Sequence, residues 1–209
     1  MDSFYERHLL GSDNYALERS LQRCGYQNIA GCDEVGRGPL AGPVVAAAVV
    51  FPSALDPSIY LDSKKLSRKI REKLVAELQA SDARIGIGSV SEIDIDRLNI
   101  LQASLLAMKL AVNNLPGAAA DFVLVDGRFT IPLAVDQEAL VKGESKSASI
   151  AAASIVAKVF RDKYMRDMHD RYPQYNFARN KGYPTREHRN ALKKYGPCPL
   201  HRKSFKGVG

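Results

Sequence analysis

The residues best placed to do chemistry are three carboxylates, each close to glycine. Asp33 and Glu34 follow the apolar stretch 29–32, and Asp126 follows the apolar stretch 122–125. In an open α/β sheet, ligands bind beyond the carboxyl ends of strands, so two adjacent parallel strands would bring these carboxylates together. Converging carboxylates repel one another unless a cation is bound, and oxygen ligands favour Mg²⁺ or Mn²⁺ over zinc. Because single aspartates at strand ends also cap turns, the residues alone leave both a metal site and ordinary capping open.

Two further segments contain residues suited to phosphate. In the glycine loop, Gly36-Arg37-Gly38, the backbone is open to close approach by a ligand and Arg37 suits a phosphate. Lys64 stands with a second lysine just before a predicted helix N-terminus, which also favours a phosphate. The alternatives are a plain tight turn for the first segment and an ordinary exposed helix cap for the second.

The charge of the chain is unevenly distributed. The net charge is +7, and residues 142–209 hold sixteen Lys and Arg against five Asp and Glu. In the tail that follows residue 170, aromatic residues alternate with basic ones, a pattern typical of nucleic-acid contacts and equally of a small hydrophobic core. We expect most of these aromatics to be packed and Tyr183 to be exposed. His188 is expected to be structural, and His8, His169 and His201 show no partner pattern.

The elements that must position these residues alternate between strand and helix, which indicates an α/β sheet over residues 28–168. The patterns predict strands at 29–32, 44–51, 84–90, 122–125 and around 140–141. The stretch 44–51 is continuously apolar, as in a strand covered on both faces. Helices are predicted over residues 4–24, from a Ser67 cap to 78, over 95–112, from a Ser147 or Ser149 cap to 169, and over 186–194.

Composition excludes several classes of protein. The 209 residues fit one domain, or one core domain with a small appendage. The longest apolar run, residues 43–51, is too short to span a bilayer, and the N-terminus has no signal-peptide pattern. Three cysteines without a C-x-x-C pair argue against a disulfide framework or a thiolate zinc site and favour a cytoplasmic location.

Taken together, these segments resemble the ribonuclease HII family (type 2 ribonuclease H). The similarity extends over about residues 28–206, and its first motif, GCDEVGRGPLAGPV, is highly specific. The other matching segments are 62–66, 125–127, 149–159 with Arg161-Asp162, and 180–185 with His188.

The resemblance implies a ribonuclease H-like fold, with a five-stranded mixed sheet flanked by helices and a small C-terminal helical region. It divides the chain into an N-terminal helical extension (1–27) without an assigned role, a catalytic core (28–170) and a basic, aromatic-rich substrate-binding region (171–209). It also implies an Asp-Glu-Asp-Asp metal site. Asp33, Glu34 and Asp126 match three positions, and Glu144 stands where the family usually has an aspartate.

The resemblance further implies roles in substrate binding. The backbone of Gly36, Arg37 and Gly38 would read the ribose 2′-hydroxyl, Tyr183 would pack on the following deoxyribose, and Lys64 would contact a phosphate. Pro184 stands where the family often has glycine.

The implied activity is that of an endonuclease acting on RNA–DNA hybrids and on duplex DNA that contains ribonucleotides. Two divalent ions, Mg²⁺ or Mn²⁺, would support hydrolysis on the 5′ side of a ribonucleotide, giving 3′-hydroxyl and 5′-phosphate ends. We expect a monomer without membrane partners. Two alternatives stay open at this point: a non-catalytic hybrid-binding protein, and a metal-dependent phosphatase acting on small phosphate esters.

Overall fold

The chain contains a five-stranded mixed sheet with helices on both faces, which confirms the predicted fold class. The computed structural model describes residues 13–52, 55–60, 63 and 66–208. The strands are β1 (Ile29–Val35), β2 (Val44–Val50), β3 (Arg84–Val90), β4 (Phe122–Asp126) and β5 (Asp136–Leu140). They lie in the order β3-β2-β1-β4-β5, with β1 antiparallel to β2 and parallel to β4.

Seven α-helices are found in the described part of the chain. They are α1 (Ala16–Arg23), α2 (Arg68–Ala80), α3 (Glu92–Leu98), α4 (Ile100–Asn113), α5 (Ala148–Arg171), α6 (Phe177–Asn180) and α7 (Arg186–Tyr195). Short 3₁₀ turns lie at Pro57–Ile59, Gly143–Ser145 and Pro173–Tyr175. No helix within these described residues is long and apolar enough to cross a membrane.

Strand β2 is the centre of the hydrophobic core and is buried on both faces, as its apolar sequence predicts. Alternate side chains point to opposite sides of a strand. Val44, Ala46 and Ala48 therefore pack in the cluster on the α4 side, whereas Val45 and Val49 pack with residues of α2 and α5.

Helix α5 lies very close to the sheet because its first turns are built from small residues. Ser147 caps the helix by accepting a hydrogen bond from the Ile150 amide at 3.2 Å, so one of the two predicted caps is confirmed. A Cβ atom added at Gly31 on β1 would lie 2.1 Å from the carbonyl carbon of Ser149. Only glycine allows this approach, which brings the N-terminus of α5 to the sheet.

Strand β1 is longer than the apolar pattern predicts. Asp33 and Glu34 lie inside the strand rather than at its end, because the antiparallel ladder with β2 continues through the pairs Asp33 with Ala47 and Glu34 with Ala46. The prediction considered only the apolar run, whereas pairing with β2 decides where the strand ends.

The single helix predicted over residues 95–112 is wrong, because the chain forms two helices that meet at Asn99. Asn99 has a φ of 71°, and its side-chain oxygen accepts hydrogen bonds from the amides of Leu101 and Gln102. Asparagine tolerates positive φ better than most residues and is a strong N-cap, so it ends one helix and starts the next.

Other boundaries differ by a few residues. The N-terminal helix begins at Ala16, and the part of the predicted helix before residue 13 lies outside the described residues, as does His8. The last strand ends at Leu140, one residue before Val141.

The C-terminal segment forms a small cluster of its own against the end of α5. Tyr175, Phe177, Leu192 and Leu200 pack there with Met165 of α5. The expectation that most tail aromatics are packed is confirmed for Tyr175 and Phe177, which are buried. The proposed division at residues 27 and 170 stays a prediction.

Candidate active site

The parallel pairing of β1 and β4 brings the predicted carboxylates together. Cys32 is paired with Val125 in the last pair between the two strands, so the next residues, Asp33 and Asp126, follow side by side where this pairing ends. A cavity of about 370 Å³ opens there. Of the predicted site residues, eight line it: Asp33, Glu34, Gly36, Arg37, Gly38, Asp126, Glu144 and Tyr183. The ninth, Lys64, lies outside the described residues.

Asp33 is the most enclosed of the four carboxylates, with 3% of its surface exposed. Burial raises its pKa well above the ordinary value, and the negative charges of Glu34, Asp126 and Glu144 raise it further, while Ser154 acts in the opposite direction. Its Oδ1 accepts a hydrogen bond from the Glu34 amide at 2.7 Å. The site thus concentrates negative charge where water is largely excluded.

Glu34 lies beside Asp33 and is partly compensated by Arg37 of the glycine loop. An Arg37 Nη1 donates to Glu34 Oε1 at 3.2 Å. Burial raises the pKa of Glu34, and the Arg37 charge and hydrogen bond oppose that rise. Half of the Arg37 side chain is exposed, so this cation can turn toward a ligand in the cavity.

Asp126 and Glu144 are joined through the turn that follows β5. The Gly143 amide donates to Asp126 Oδ1 at 2.6 Å, and the 3₁₀ turn then carries Glu144 into the cavity. Glu144 Oε2 accepts from the amide of Ser63 at 3.2 Å and from its hydroxyl at 3.1 Å. A Cβ at position 143 would lie 2.7 Å from Ile150 Cδ1 and 3.0 Å from Asp126 Oδ1, so a larger residue here would displace the Ile150 side chain.

The donor set fits hard divalent cations. Four carboxylates of one cavity carry more negative charge than the adjoining Arg37 offsets, and oxygen ligands select ions such as Mg²⁺ or Mn²⁺. As the side chains stand, no group of three or more His, Cys, Asp or Glu among the described residues is arranged tightly enough to hold an ion. Glu34 and Glu144 each have one carboxylate oxygen hydrogen-bonded to a neighbour, Arg37 and Ser63 respectively.

Two cations of the cavity were not identified from the sequence. Arg71 of α2 and Lys158 of α5 both line it. Lys158 is paired with Asp162 at 2.9 Å, and its Nζ lies 6.0 Å from the centroid of the Tyr183 ring. Lys158 falls within the run 149–159 that resembles the family, but nothing in that run shows which of its side chains faces the cavity.

Tyr183 forms the wall opposite the glycine loop. It is 38% exposed, which agrees with the expectation that it is an exposed aromatic, and a Cβ added at Gly38 would lie 3.8 Å from its Cε1. The two segments are joined by a hydrogen bond from the Leu40 amide to the carbonyl of Gly182 at 2.8 Å.

Two histidines, His188 and His201, support the backbone of Tyr183. His188 Nδ1 lies 2.9 Å from the Tyr183 carbonyl oxygen, and His188 Nε2 lies 3.0 Å from His201 Nε2. The Cys198 amide donates to His201 Nδ1 at 3.0 Å. The structural role expected for His188 fits this arrangement. His201 shows no partner pattern in the sequence, because the fold brings it to His188 from near the end of the chain.

The N-terminal helix also supports the site, which the sequence did not indicate. Glu18 of α1 is buried, and its Oε1 accepts hydrogen bonds from Ser147 Oγ at 2.6 Å, Ser149 Oγ at 2.7 Å and the Ser149 amide at 3.1 Å. Burial raises the pKa of Glu18 above its ordinary value, and the serine hydrogen bonds oppose that rise. Glu18 thereby fixes the start of α5, three residues after Glu144.

A ribonuclease H-like sheet whose adjacent parallel strands end in carboxylates defines a class of metal-dependent nucleases. The family model described as "Ribonuclease HII" matches residues 30–208. A ribonuclease HII of Desulfotalea psychrophila is 60% identical over 201 residues, covering 95% of this chain and 89% of that protein. The chain belongs to the ribonuclease HII family, and it is a metal-dependent endonuclease of the ribonuclease H type.

Solved structures agree on the fold. The crystal structure of ribonuclease H2 from Pyrococcus horikoshii OT3 matches with a TM-score of 0.75 at 24% identity, covering 87% of this chain and 95% of that one. Bst-RNase HIII in complex with Mn²⁺ matches with a TM-score of 0.64 at 17% identity, covering 88% of this chain and 68% of that one. At these identities, the likeness shows the shared fold.

Proposed function

We propose that the enzyme hydrolyses the RNA strand of RNA–DNA hybrids and cuts duplex DNA on the 5′ side of embedded ribonucleotides, leaving 3′-hydroxyl and 5′-phosphate ends. The observation that carries this proposal is that four carboxylates, the glycine loop and Tyr183 line one and the same cavity. Membership of the ribonuclease HII family supports the substrate class.

Asp33, Glu34, Asp126 and Glu144 would hold two divalent ions, Mg²⁺ or Mn²⁺. When bound, the ions supply an activated water and offset the charge that develops on the leaving 3′ oxygen. The neighbour solved in complex with Mn²⁺ supports a divalent ion of this kind. Glu144 is one methylene longer than the aspartate usual in the family, and Ser63 holds its carboxylate at the cavity.

The other residues of the cavity would bind and orient the substrate. The backbone of Gly36, Arg37 and Gly38 would hydrogen-bond the 2′-hydroxyl, the group that distinguishes RNA from DNA. Tyr183 would pack on the sugar of the following nucleotide. Arg71 and Lys158, which line the same cavity, would neutralise phosphates of the substrate. A loop built to hydrogen-bond a hydroxyl rejects a substrate that lacks it, because its donors would be left unpaired.

The test is cleavage of three labelled duplexes: DNA with one ribonucleotide, a full RNA–DNA hybrid, and DNA alone. Each is incubated with Mg²⁺, with Mn²⁺ and with chelator, and the product ends are identified by mass spectrometry. We expect metal-dependent cutting of the first two substrates, 3′-hydroxyl and 5′-phosphate ends, and no cutting of DNA.

Two results would contradict the proposal in different ways. Tight binding of the first two duplexes without cleavage in either metal would favour a non-catalytic hybrid-binding protein. Hydrolysis of small phosphate esters with no action on duplexes would favour a phosphatase. A monomeric state and a cytoplasmic location stay predictions.

A further inference from the structure

Arg202 is completely buried directly beneath the glycine loop. It comes from the end of the chain, and its side chain is 0% exposed. Nε donates to the Gly42 carbonyl at 2.9 Å, Nη1 to those of Arg37 and Pro39 at 3.1 and 2.8 Å, and Nη2 to those of Gly36 and Gly42, both at 2.6 Å. A guanidinium has five N–H donors, so all of its donors bind backbone carbonyls of residues 36–42, the segment that begins with the glycine loop.

These bonds decide which way the peptide groups of the loop face. No peptide bond in the described part of the chain is cis, and in a trans peptide the N–H and the C=O point in opposite directions. The carbonyls of Gly36 and Arg37 point inward to Arg202. The amide N–H groups that share those two peptide units, on Arg37 and Gly38, therefore point outward, toward the cavity that both residues line.

The two outward amides are available to a ligand. Within the part of the chain that the structure describes, neither the Arg37 nor the Gly38 amide donates a hydrogen bond to a protein acceptor. Unpaired donors that lie next to a group of carboxylates suit an oxygen acceptor of the substrate. The acceptor must also reach the metal site, since the carboxylates and the loop share one cavity.

We propose that Arg202 is a positioning residue for ribonucleotide selectivity, because it fixes the Arg37 and Gly38 amides as paired donors to the 2′ oxygen at the cut site. This inference rests on the proposed function. Arg202 contacts no substrate itself, and it acts through the backbone that it holds. The charge of Arg202 is retained at neutral pH, because burial lowers its pKa only to about 9.

A lysine cannot replace this arginine. Its ammonium is a compact group with three donors, so it cannot span the carbonyls of positions 36, 37, 39 and 42. Arg202→Lys would keep the positive charge while releasing the peptide groups. The variant therefore distinguishes the effect of the loop's backbone orientation from the effect of a positive charge beneath the loop.

Arg161 provides a matched control. It is also 0% exposed, and it donates to the carbonyls of Pro43 and Ala41 at 2.9 and 3.0 Å and to that of Lys181 at 3.0 Å. Arg161 thus binds carbonyls that follow the glycine loop, together with that of Lys181, but neither of the carbonyls at positions 36 and 37. Arg161→Lys makes the same chemical change at an equally buried position.

The experiment measures the dissociation constants of wild type, Arg202→Lys and Arg161→Lys for a duplex with one ribonucleotide and for the all-DNA duplex. Ca²⁺ replaces the catalytic ions so that no cleavage occurs. We expect Arg202→Lys to lower the preference for the ribonucleotide duplex about tenfold, the loss of one to two hydrogen bonds. Affinity for all-DNA should stay within about twofold, and Arg161→Lys should keep the wild-type preference within the same margin.

A folded Arg202→Lys protein with the wild-type preference would overturn the inference, as would an equal loss in Arg161→Lys. If Arg202→Lys does not fold, ¹⁵N-labelled wild type gives the answer. The Arg37 and Gly38 amide resonances should shift with the ribonucleotide duplex and not with the DNA duplex, and unmoved resonances in the bound ribonucleotide complex would reject the idea. A wild type that neither cleaves nor prefers the ribonucleotide duplex would instead remove the proposed function itself.

Discussion

At the scale of single residues, Tyr183 lines the cavity, and its ring rather than its hydroxyl is the part suited to bind a substrate. Its ring faces Gly38 on one side and Lys158 on another, and these contacts leave part of it open to a ligand. A ring in this position offers a flat apolar surface to a sugar or base, while Lys158 supplies the charge for a phosphate.

We therefore predict that Tyr183→Ala raises KM for a single-ribonucleotide duplex about tenfold, the size of one lost stacking contact. Tyr183→Phe should stay close to wild type, because the ring is retained. Steady-state kinetics measure both. Tyr195→Ala is the control, since Tyr195 is exposed on α7 and lies against Lys194. Equal losses in the Phe and Ala variants would show that the hydroxyl is what matters.

The sequence identified Asp33, Glu34 and Asp126 because each follows an apolar strand and lies close to glycine, whereas Glu144 was indicated only by the family resemblance. Lys158 and Arg202 have no such local signal. Lys158 is one basic residue of a long helix, and Arg202 is one of many cations in a basic tail. Their functions depend on tertiary contacts with residues far away in the sequence, and a charge pattern does not contain that information.

At the scale of elements, strand pairing and helix capping determine where helices and strands end, which hydrophobic periodicity alone does not show. The α/β alternation and the doubly buried β2 could be predicted, because both follow from hydrophobic patterns. The length of β1 follows from its ladder with β2, and the break at Asn99 follows from a side-chain cap within an otherwise apolar run. Neither feature can be read from periodicity alone.

The packing of α7 against the C-terminal segment depends on a chain of neutral imidazoles. His188 Nδ1–H donates to the Tyr183 carbonyl, His201 Nε2–H donates to His188 Nε2, and His201 Nδ1 accepts from the Cys198 amide. Burial, and to a smaller extent the positive charge that His188 would carry when protonated, lowers the pKa of His201 to about 4. Added protons would break this chain, since two N–H groups would then face each other.

We predict that stability falls as the pH drops from about 6.5 toward 4. An unfolded histidine binds its proton near pH 6.5, whereas folded His201 does not until about pH 4, so protons favour the unfolded state across this window. Urea unfolding at several pH values measures the effect. His201→Gln should flatten the slope, and His169→Gln, outside this hydrogen-bond chain, should not. A wild-type slope in His201→Gln would contradict the assignment.

At the scale of the whole molecule, an acidic centre lies within a basic protein. The net charge is +7, and the cavity that contains the four carboxylates is also lined by Arg71 of α2 and Lys158 of α5. In the sequence, the positive charge is concentrated in residues 142–209, which hold sixteen Lys and Arg against five Asp and Glu. The cations attract the polyanionic duplex, and the carboxylates hold the divalent ions that allow a phosphate to approach them.

The N-terminal helix is part of the same assembly although the family model begins at residue 30. Glu18 ties α1 to the start of α5, and the relative that is 60% identical matches 95% of this chain. The carboxylate motifs do not indicate this helix, because its contribution is a buried contact between Glu18 and the serines at the start of α5.

The measurement that tests the central claim most directly is single-turnover cleavage of a single-ribonucleotide duplex by wild type and Asp126→Asn. The variant keeps the shape of the side chain and removes its charge. We expect cleavage to slow by at least about a hundredfold, since even the outer partners of metal ligands cost 10–100-fold. Duplex affinity should change little. Asp136→Asn, at the far end of the neighbouring strand β5, should cleave at the wild-type rate. An Asp126→Asn enzyme within tenfold of wild type would contradict the carboxylate metal site.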